Sequence, residues 1–477
     1  MSRILFFLVA LVAVAFAVLI FAPSVLPIAA YKDRIETAAS DAIGREVTFS
    51  DNLTFRILPR TAFHVEDLTI ANADGFAGDY LATVGEADIG VNLIALITSG
   101  TVEIDRFVLT EPDITLIRKA NGDVNWNLAS AGHAGDQPAS PGSTRDFSLG
   151  DVRIVRGKAV YRDGGANKTY TAEDIGIRIV LTSLKEPLEV KGNMVFQGEP
   201  STVDIVLTNL ADVMQQEPSN LKLGAKIGAA TFGADLTIEL KDALRYRGPI
   251  QLNAPDLPAF AALVGTQIAD APGFDKLTLS GDVDGGGQSL RLSNARVVFD
   301  DIDAQGVMSL NWSGARPKAS GVLSTDELDM RAYLPPPATD AQGFPAWSTA
   351  KMDFTGLRNI DADFDISTNA IYLNDLKIGE SRLKLTVVSG RMTADIPELS
   401  MYGGQGSGRL VVNARGSTPT FSGNFDMGAV QAEPISLDLF KHDNLLGLGS
   451  FTFDFDASGN SQEAIMSSLD GTGDFDL

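Results

Sequence analysis

Phe451-Thr452-Phe453-Asp454-Phe455 places an aromatic ring at every second position, with a polar side chain between neighbouring rings. Successive side chains of a strand point to opposite faces of a sheet, so this alternation predicts a strand with one apolar and one polar face. The same period recurs along most of the chain, for example at Val47 and Phe49; Leu53 and Phe55; Leu236, Ile238 and Leu240; and Leu383, Leu385 and Val387. The sequence therefore predicts a mainly β protein.

Turn signals separate these segments and predict an antiparallel arrangement. Asp163-Gly164-Gly165, Ser389-Gly390 and Gly403-Gly404 are typical of tight hairpins. We therefore expect a long, curled antiparallel sheet that runs strand after strand, with few helices. Three segments have helical features instead, namely residues 31–43, 92–97 and 257–264. The first is a short amphipathic helix, and the glycine after it is typical of a helix end.

An uninterrupted apolar run, Ile4–Ala22, follows Arg3 near the start of the chain. Its 19 uncharged residues could span a bilayer core of about 30 Å as a helix. We expect an uncleaved single-pass anchor with a short cytoplasmic N-terminus and the bulk of the chain outside the cytoplasm. A cleaved signal peptide is the alternative, since Ile28-Ala29-Ala30 could act as a cleavage site. The predicted anchor residues include Ile4, Phe6, Leu11, Phe16, Leu19 and Phe21.

Composition excludes several classes of function. The chain has 38 Lys and Arg against 61 Asp and Glu, a formal net charge of −23. Nucleic-acid binding requires clustered cations, so we expect no nucleic-acid partner. The same charge disfavours electrostatic adhesion to anionic lipid. The absence of Cys rules out a disulfide framework and a thiolate metal site, and it suits a bacterial envelope protein folded by its core alone.

Two polar segments, residues 131–145 and 331–346, are predicted linkers because small polar residues or prolines interrupt the alternation there. The predicted pieces are an anchor at 1–30, a helix with a first β unit at 31–130, a middle β unit at 146–330 and a C-terminal β unit at 347–477. The last piece stops inside an alternating segment, so we expect it to be incomplete.

Motifs near both ends, taken in order, resemble the AsmA family of bacterial envelope proteins. The N-terminal motifs after the apolar run are Tyr31-Lys32, Gly44-Arg45, Leu58-Pro59, residues 65–72 (VEDLTIAN), residues 93–100 (LIALITSG), residues 112–116 (PDITL) and residues 122–126 (GDVNW). The C-terminal motifs are residues 376–379 (LKIG), residues 401–408 (MYGGQGSG) and residues 468–473 (SLDGTG). The two ends together cover about half of the sequence, whereas the middle matches only in its strand pattern.

The resemblance implies an inner-membrane anchor with a periplasmic body that forms a taco-shaped β-groove, similar to bridge-like lipid transfer proteins. The implied role is outer-membrane biogenesis, by moving phospholipid between the inner and outer membranes or by regulating that flow. The implied partners are membrane phospholipid, the inner membrane and outer-membrane or envelope proteins. The middle unit would form part of the groove. The predicted lining residues are Phe49, Leu53, Phe55, Leu383, Leu385, Phe451, Phe453 and Phe455.

The alternation has a second interpretation, because a β-sandwich also buries one face of each strand. A packed sandwich would favour a non-enzymatic assembly factor for outer-membrane proteins, which holds its partners through exposed strand edges. An envelope hydrolase ranks below both hypotheses because no pairing of nucleophile and base is evident.

Candidate catalytic and metal-binding residues are few. His64, His133 and His442 lie in distant contexts, which disfavours a histidine-centred triad or zinc site. Two carboxylate sets, 361/363/365 and 454/456, could hold calcium or act as an acid–base pair, but the solvated face of a strand explains them better. We therefore expect no catalytic residue, no metal and no cofactor.

Overall fold

The computed structural model describes residues 32–56, 62–91, 104–127, 149–263, 265, 273–333, 338–339, 345–440 and 445–476. The chain forms two compact units, Met1–Gly228 and Ala229–Leu477. Within the described ranges, no helix is long and apolar enough to cross a membrane. The expected anchor, Ile4–Ala22, lies outside the described residues, and the predicted division into an anchor and three β units stays a prediction.

The first unit is mainly β. Its described helices are α1 (Lys32–Ile43) and α2 (Leu210–Met214). Its described strands are β1 (Val47–Thr48), β2 (Thr54–Arg56), β3 (Ala62–Ala71), β4 (Tyr80–Val91), β5 (Ile104–Arg118), β6 (Leu149–Asp163), β7 (Lys168–Leu181), β8 (Leu188–Phe196), β9 (Glu199–Leu207) and β10 (Ser219–Ile227).

Consecutive strands of the first unit pair in an open sheet. Strands β1 and β2 both pair with β3, and β3 to β10 then follow in chain order. Every pairing is antiparallel except that of β5 with β6, which is parallel. Helix α1 confirms the predicted helix, and Gly44, whose φ of 70° suits glycine, follows its last residue.

A row of irregular positions crosses this sheet. Asp67, Glu111, Arg156 and Asp174 have φ values of 48° to 53° and interrupt strands β3, β5, β6 and β7. The registers on either side align these interruptions from strand to strand, with Gly85 facing both Asp67 and Glu111. Because a bulge bends its strand and increases its twist, an aligned row bends the sheet along one line.

The second unit is built in the same way. Its described helices are α3 (Leu257–Leu263), a 3₁₀ turn (Arg331–Tyr333), α4 (Thr355–Asn359), α5 (Ala432–Phe440) and α6 (Gln462–Ser467). Its described strands are β11 (Ala230–Leu240), β12 (Leu244–Ala254), β13 (Leu277–Gly286), β14 (Ser289–Phe299), β15 (Ile302–Asn311), β16 (Lys318–Asp329), β17 (Ala338–Thr339), β18 (Pro345–Ala346), β19 (Asp361–Leu373), β20 (Leu376–Ile378), β21 (Ser381–Val388), β22 (Arg391–Met401), β23 (Gly404–Asn413), β24 (Thr420–Gln431), β25 (Leu448–Ser458) and β26 (Asp470–Asp476).

Strands β11 to β16 pair in order, β16 pairs with β19, and β21 to β26 continue from β19. Strand β20 pairs with the end of β19, and β17 with β18 forms a separate two-stranded pair. All these pairings are antiparallel except β16 with β19. Helix α3 confirms the predicted helix near residues 257–264. The predicted helix at 92–97 lies outside the described residues.

Both parallel pairings differ from the expected strand-after-strand meander. Each occurs across a predicted linker, since β5 and β6 flank residues 131–145, and β16 and β19 flank residues 331–346. A tight hairpin reverses the chain, whereas a connection of about 30 residues can carry it back to the end from which the previous strand started. Across each linker the next strand therefore runs in the same direction as the previous one, and the sheet continues.

Buried apolar side chains gather in small clusters. The largest combines Ile371, Ile378, Leu399, Met401, Met427 and Val430 in the second unit. A second cluster there contains Val283, Leu292 and Ala295. The first unit has a cluster of Phe49, Leu53, Val65 and Ala87. Within the part of the chain that the structure describes, no second large sheet packs face to face on either unit's sheet. Neither unit therefore shows the β-sandwich that was the second interpretation of the sequence.

Candidate functional site

An apolar row crosses the sheet of the second unit, one residue per strand. Directly opposed residues lead from β12 to β26 without a polar side chain. The row, in order, is Gly248, Val283, Leu292, Met308, Gly321, Phe364, Leu385, Ala394, Leu410, Gly423, Phe455 and Gly471. At about 4.8 Å between strands, twelve strands extend over roughly 50 Å if the sheet is laid flat.

The first unit has a matching apolar row across eight strands, β3 to β10. Its members, in order, are Val65, Ala87, Leu109, Ile154, Ile177, Gly192, Val203 and Ala225. In both units the row follows from alternation within each strand, because directly opposed residues of paired strands, antiparallel or parallel, lie on the same face of the sheet.

The opposite face of the second sheet is polar. Its register partners between β19 and β26 are Asp365, Lys384, Asp395, Arg409, Asn424, Asp454 and Thr472. Opposite charges are adjacent, and the Arg409 guanidinium donates to the Asp395 carboxylate. An open depression of about 800 Å³ also lies on this face, lined by polar side chains such as those of Asp303, Ser324 and Glu398. The two faces therefore differ sharply in chemistry.

The apolar faces are only partly covered. In β8, the apolar residues Leu188, Val190 and Met194 are half-buried, whereas the polar residues between them are exposed. Towards the β26 edge, the side chains of Phe453 and Phe475 are 39% and 56% exposed. A closed β-sandwich core would bury such residues almost completely. Each unit therefore offers an apolar surface that can accept an apolar ligand.

Glycines on the apolar face of the second unit lie beneath aromatic rings. A Cβ placed on Gly423 would lie 2.4 Å from Cε1 of Phe455, the residue opposite it. The same relationship joins Gly408 to Phe425, at 2.4 Å from Cδ1, and Gly285 to Tyr246, at 2.5 Å from Cζ. Each ring thus lies flat over the backbone of the neighbouring strand. The aromatic rings therefore cover the glycine positions of the neighbouring strands on the apolar face.

The predicted lining residues fall into two groups. Leu383, Leu385, Phe451, Phe453 and Phe455 share the apolar face of the second unit, on β21 and β25. Their contact with lipid stays a prediction.

Phe49 and Leu53 belong to the first unit and are only 6% and 8% exposed. The Phe49 N–H donates to Glu36 of helix α1 at 3.0 Å, so the helix covers this corner of the sheet. The structure does not bring these two residues together with the second-unit group. The side chain of Phe55 lies outside the described residues.

An aromatic ladder on the first sheet was missed by the sequence analysis. The rings of Tyr161 and Tyr170 stack at 6.1 Å between centroids, and that of Phe196 stacks on Tyr170 at 6.3 Å. Trp126 meets Tyr161 edge to face at 5.9 Å. The available signal was their spacing about the turn: Tyr161 lies two residues before Asp163, Tyr170 lies two residues after Lys168, and Asp163 and Lys168 are paired.

The candidate catalytic carboxylates hold structural partners. Asp361 accepts from the Ser389 backbone N–H at 2.8 Å and pairs with Arg316 at 3.3 Å. That backbone hydrogen bond, opposed in part by desolvation and aided by Arg316, lowers the pKa of Asp361. Asp363 lies 3.6 Å from Lys318. These contacts describe the solvated face of a strand.

His64 pairs with Asp88 at 2.9 Å between Nδ1 and Oδ1, because the two residues lie directly opposite each other on β3 and β4. His133 and His442 lie outside the described residues. Among the described residues, no group of three His, Asp or Glu side chains is placed to hold a metal ion.

Sequence comparison matches one family model, described as the AsmA family. It matches residues 1–201 and again residues 191–477, so the two matches together span the chain. Comparison with curated proteins gave no match, and neither did comparison with solved structures.

Proposed function

This chain belongs to the AsmA family, and from that premise we propose that it is a non-enzymatic protein of the bacterial cell envelope that binds or conducts phospholipid. In the proposal, residues 4–22 anchor it in the inner membrane by a single pass, with a short cytoplasmic N-terminus and the bulk of the chain in the periplasm. It moves phospholipid between the inner and outer membranes, or regulates that flow, in outer-membrane biogenesis.

The observation that carries the proposal is the apolar row of the second unit, which runs through twelve strands without a polar residue. Most of its members are only partly buried, whereas Val283, Leu292 and Ala394 are buried. A soluble protein that leaves such a surface open normally uses it for binding. The polar opposite face can lie against water, so the apolar face is the one that a bound ligand would cover.

Physical chemistry explains why lipid is the ligand class that suits this surface. A phospholipid with two acyl chains has on the order of 30 methylenes, and exposing them to water costs roughly 20–25 kcal/mol at about 0.8 kcal/mol each. Free diffusion through an aqueous compartment is therefore slow. An apolar sheet face lowers that barrier by replacing lipid–water contact at every point along the row.

Native mass spectrometry with lipid extraction on the full chain, released from detergent, tests the proposal. Leu385→Asp and Phe453→Asp each place a charge on the apolar face of the second unit. Asn424→Asp is the matched control, because it adds the same charge on the polar face, opposite Arg409. We expect stoichiometric phospholipid on the wild-type chain and on the control, and its loss from both apolar-face variants.

Circular dichroism on each variant shows whether the sheet is retained. A folded wild-type chain without phospholipid would overturn the proposal and favour an assembly factor that acts through strand edges. Equal lipid on all four chains would also overturn it, because the lipid would then bind away from the apolar face of the second unit.

A further inference from the structure

The connection between β24 and β25 exposes a group of leucines, which we call the leucine tip. It consists of Leu437, Leu445, Leu446 and Leu448, whose exposed fractions are 49%, 41%, 74% and 63%. Exposed leucines are ordinary singly, but a cluster in one short connection is typical of a binding surface.

The structure holds the leucine tip outward. On helix α5, Ile435 packs against the largest core cluster and Ser436 is only 2% exposed. The Tyr402 hydroxyl donates to the Asp438 carboxylate, which fixes the residue after Leu437. At the base of the connection, the Ala432 N–H donates to the Gly447 carbonyl at 3.0 Å. Leu437 therefore projects from an anchored helix.

The leucine tip adjoins the candidate lipid-binding face. Strand β25 begins at Leu448 and carries Phe451, Phe453 and Phe455 on its apolar side. The Phe475 ring, on the neighbouring strand, lies 3.3 Å from a Cβ placed on Gly449 and is 56% exposed. Leu448 itself lies on the opposite face of β25 from Phe451, so the leucine tip borders the end of the apolar face and Phe475 is the exposed apolar side chain beside it.

We propose that the leucine tip inserts into the hydrocarbon layer of a lipid bilayer and docks the apolar face of the second unit onto the membrane. This inference rests on the proposed function and adds a site at which lipid would enter or leave the sheet.

Composition favours a bilayer over a protein partner. Residues 432–448 contain no Trp, Tyr or Arg, which are the side chains that usually anchor protein interfaces, whereas Leu is under-represented at such anchors. Leucine and phenylalanine are typical of segments that lie in a membrane interface. The same stretch has Glu433, Asp438 and Asp443 against Lys441, so its contact with a membrane must come from apolar insertion and not from charge.

The absence of Cys in the chain allows a local test. Leu446→Cys carries an environment-sensitive fluorophore on the leucine tip of the full chain, reconstituted with phosphatidylcholine vesicles that contain spin-labelled lipid. Val388→Cys is the matched control. It is also apolar and 55% exposed, and it lies in the β21–β22 hairpin at the opposite ends of the strands. We expect several-fold stronger quenching at position 446 than at position 388.

Other outcomes overturn the inference. Equal quenching at both positions would indicate general adsorption to the vesicle. A fluorescence change at position 446 that follows protein concentration without vesicles would identify a second copy of the chain as the occupant. If the labelled chain still carries phospholipid in native mass spectrometry but shows no quenching, the leucine tip does not dock and the proposed function stands.

Discussion

The hydroxyl of Tyr333 donates a hydrogen bond to the Asp300 carboxylate across 2.6 Å. The same carboxylate accepts the backbone N–H groups of Phe274, Asp275 and Lys276 at 2.8 to 2.9 Å. Asp300 lies in the turn between β14 and β15, and Tyr333 lies in the 3₁₀ turn where the chain leaves β16 for its long connection to β19. One buried carboxylate thus fixes the start of that connection to the sheet.

Removal of this carboxylate should destabilise the second unit. Asp300→Ala leaves three backbone N–H groups without their acceptor, and we expect a loss of about 3 kcal/mol. Tyr333→Phe removes one hydrogen bond to a charged group, so about 1.5 kcal/mol is expected. Urea unfolding followed by circular dichroism measures both losses. Asp301→Ala is the control, because that side chain is 90% exposed, and its change should stay within about 0.5 kcal/mol.

Acid should weaken the same contact. Burial by itself raises the pKa of Asp300, but the hydrogen bonds from Tyr333 and the three backbone N–H groups outweigh it and hold the pKa below its ordinary 3.8. A carboxylate with a lowered pKa in the folded state stabilises the fold above its unfolded pKa, and this stability is lost as pH falls through the folded pKa.

We therefore expect the difference in urea midpoint between wild type and Asp300→Asn to be constant from pH 7 to pH 5. Below about pH 3.8 the difference should shrink, because protonation of the Asp300 carboxyl lowers the stability of the wild type, whereas the amide of the Asn variant does not titrate. A difference that stays constant down to pH 2.5 would show that the Asp300 charge does not contribute.

The fold class was predictable because alternation is a local property of each strand. Leu383 and Leu385 on β21, and Phe451, Phe453 and Phe455 on β25, share a face for the reason that the sequence suggests. Strand direction after a long connection was not predictable. It depends on the end of the sheet to which the chain returns, and no residue between β5 and β6 encodes that choice locally.

The sequence predicted which side chains lie on the apolar face, but not which of them other parts of the structure bury. Val47 and Phe49 are separated by one polar residue, as are Phe453 and Phe455, so the sequence pattern is the same in both places. Phe49 is nevertheless buried, whereas Phe453 is 39% exposed. The difference comes from helix α1, whose Glu36 contacts the Phe49 backbone. Alternation reports the face on which a side chain lies, and tertiary packing decides whether that face is covered. Asp300 is similar, since the partners that bury it lie 24 to 33 residues away in the sequence.

The packing of the Phe455 ring on the apolar face of the second unit should depend on the glycine at position 423. A methyl group on Gly423 would lie 2.4 Å from Cε1 of Phe455, so Gly423→Ala must displace that ring, and we expect a loss of about 1–3 kcal/mol. Gly233→Ala is the matched control, because it is also a strand glycine and its added methyl would meet nothing within 4 Å. The control should be neutral or slightly stabilising.

Thermal unfolding with near-ultraviolet circular dichroism would follow both the stability and the aromatic packing. Equal effects of the two substitutions would show that the contact between Gly423 and the Phe455 ring is unimportant. A displaced ring should also reduce bound phospholipid on Gly423→Ala, whereas Gly233→Ala should keep it.

If Arg156 is a bulge residue of the bent first sheet, glycine should be tolerated there better than alanine. This residue has a φ of 52°, and its guanidinium lies 2.9 Å from Glu111, which is also left-handed. Both side chains are about 60% exposed, so their ion pair contributes little. Because a left-handed conformation costs a residue with a Cβ roughly 1–2 kcal/mol and costs glycine almost nothing, Arg156→Gly should be more stable than Arg156→Ala by about 1 kcal/mol. At Arg153, an exposed residue of the same strand with an ordinary φ, the order should reverse, since glycine weakens a regular strand. Urea midpoints for the four variants measure both differences, and the same order at both positions would contradict a bulge at Arg156.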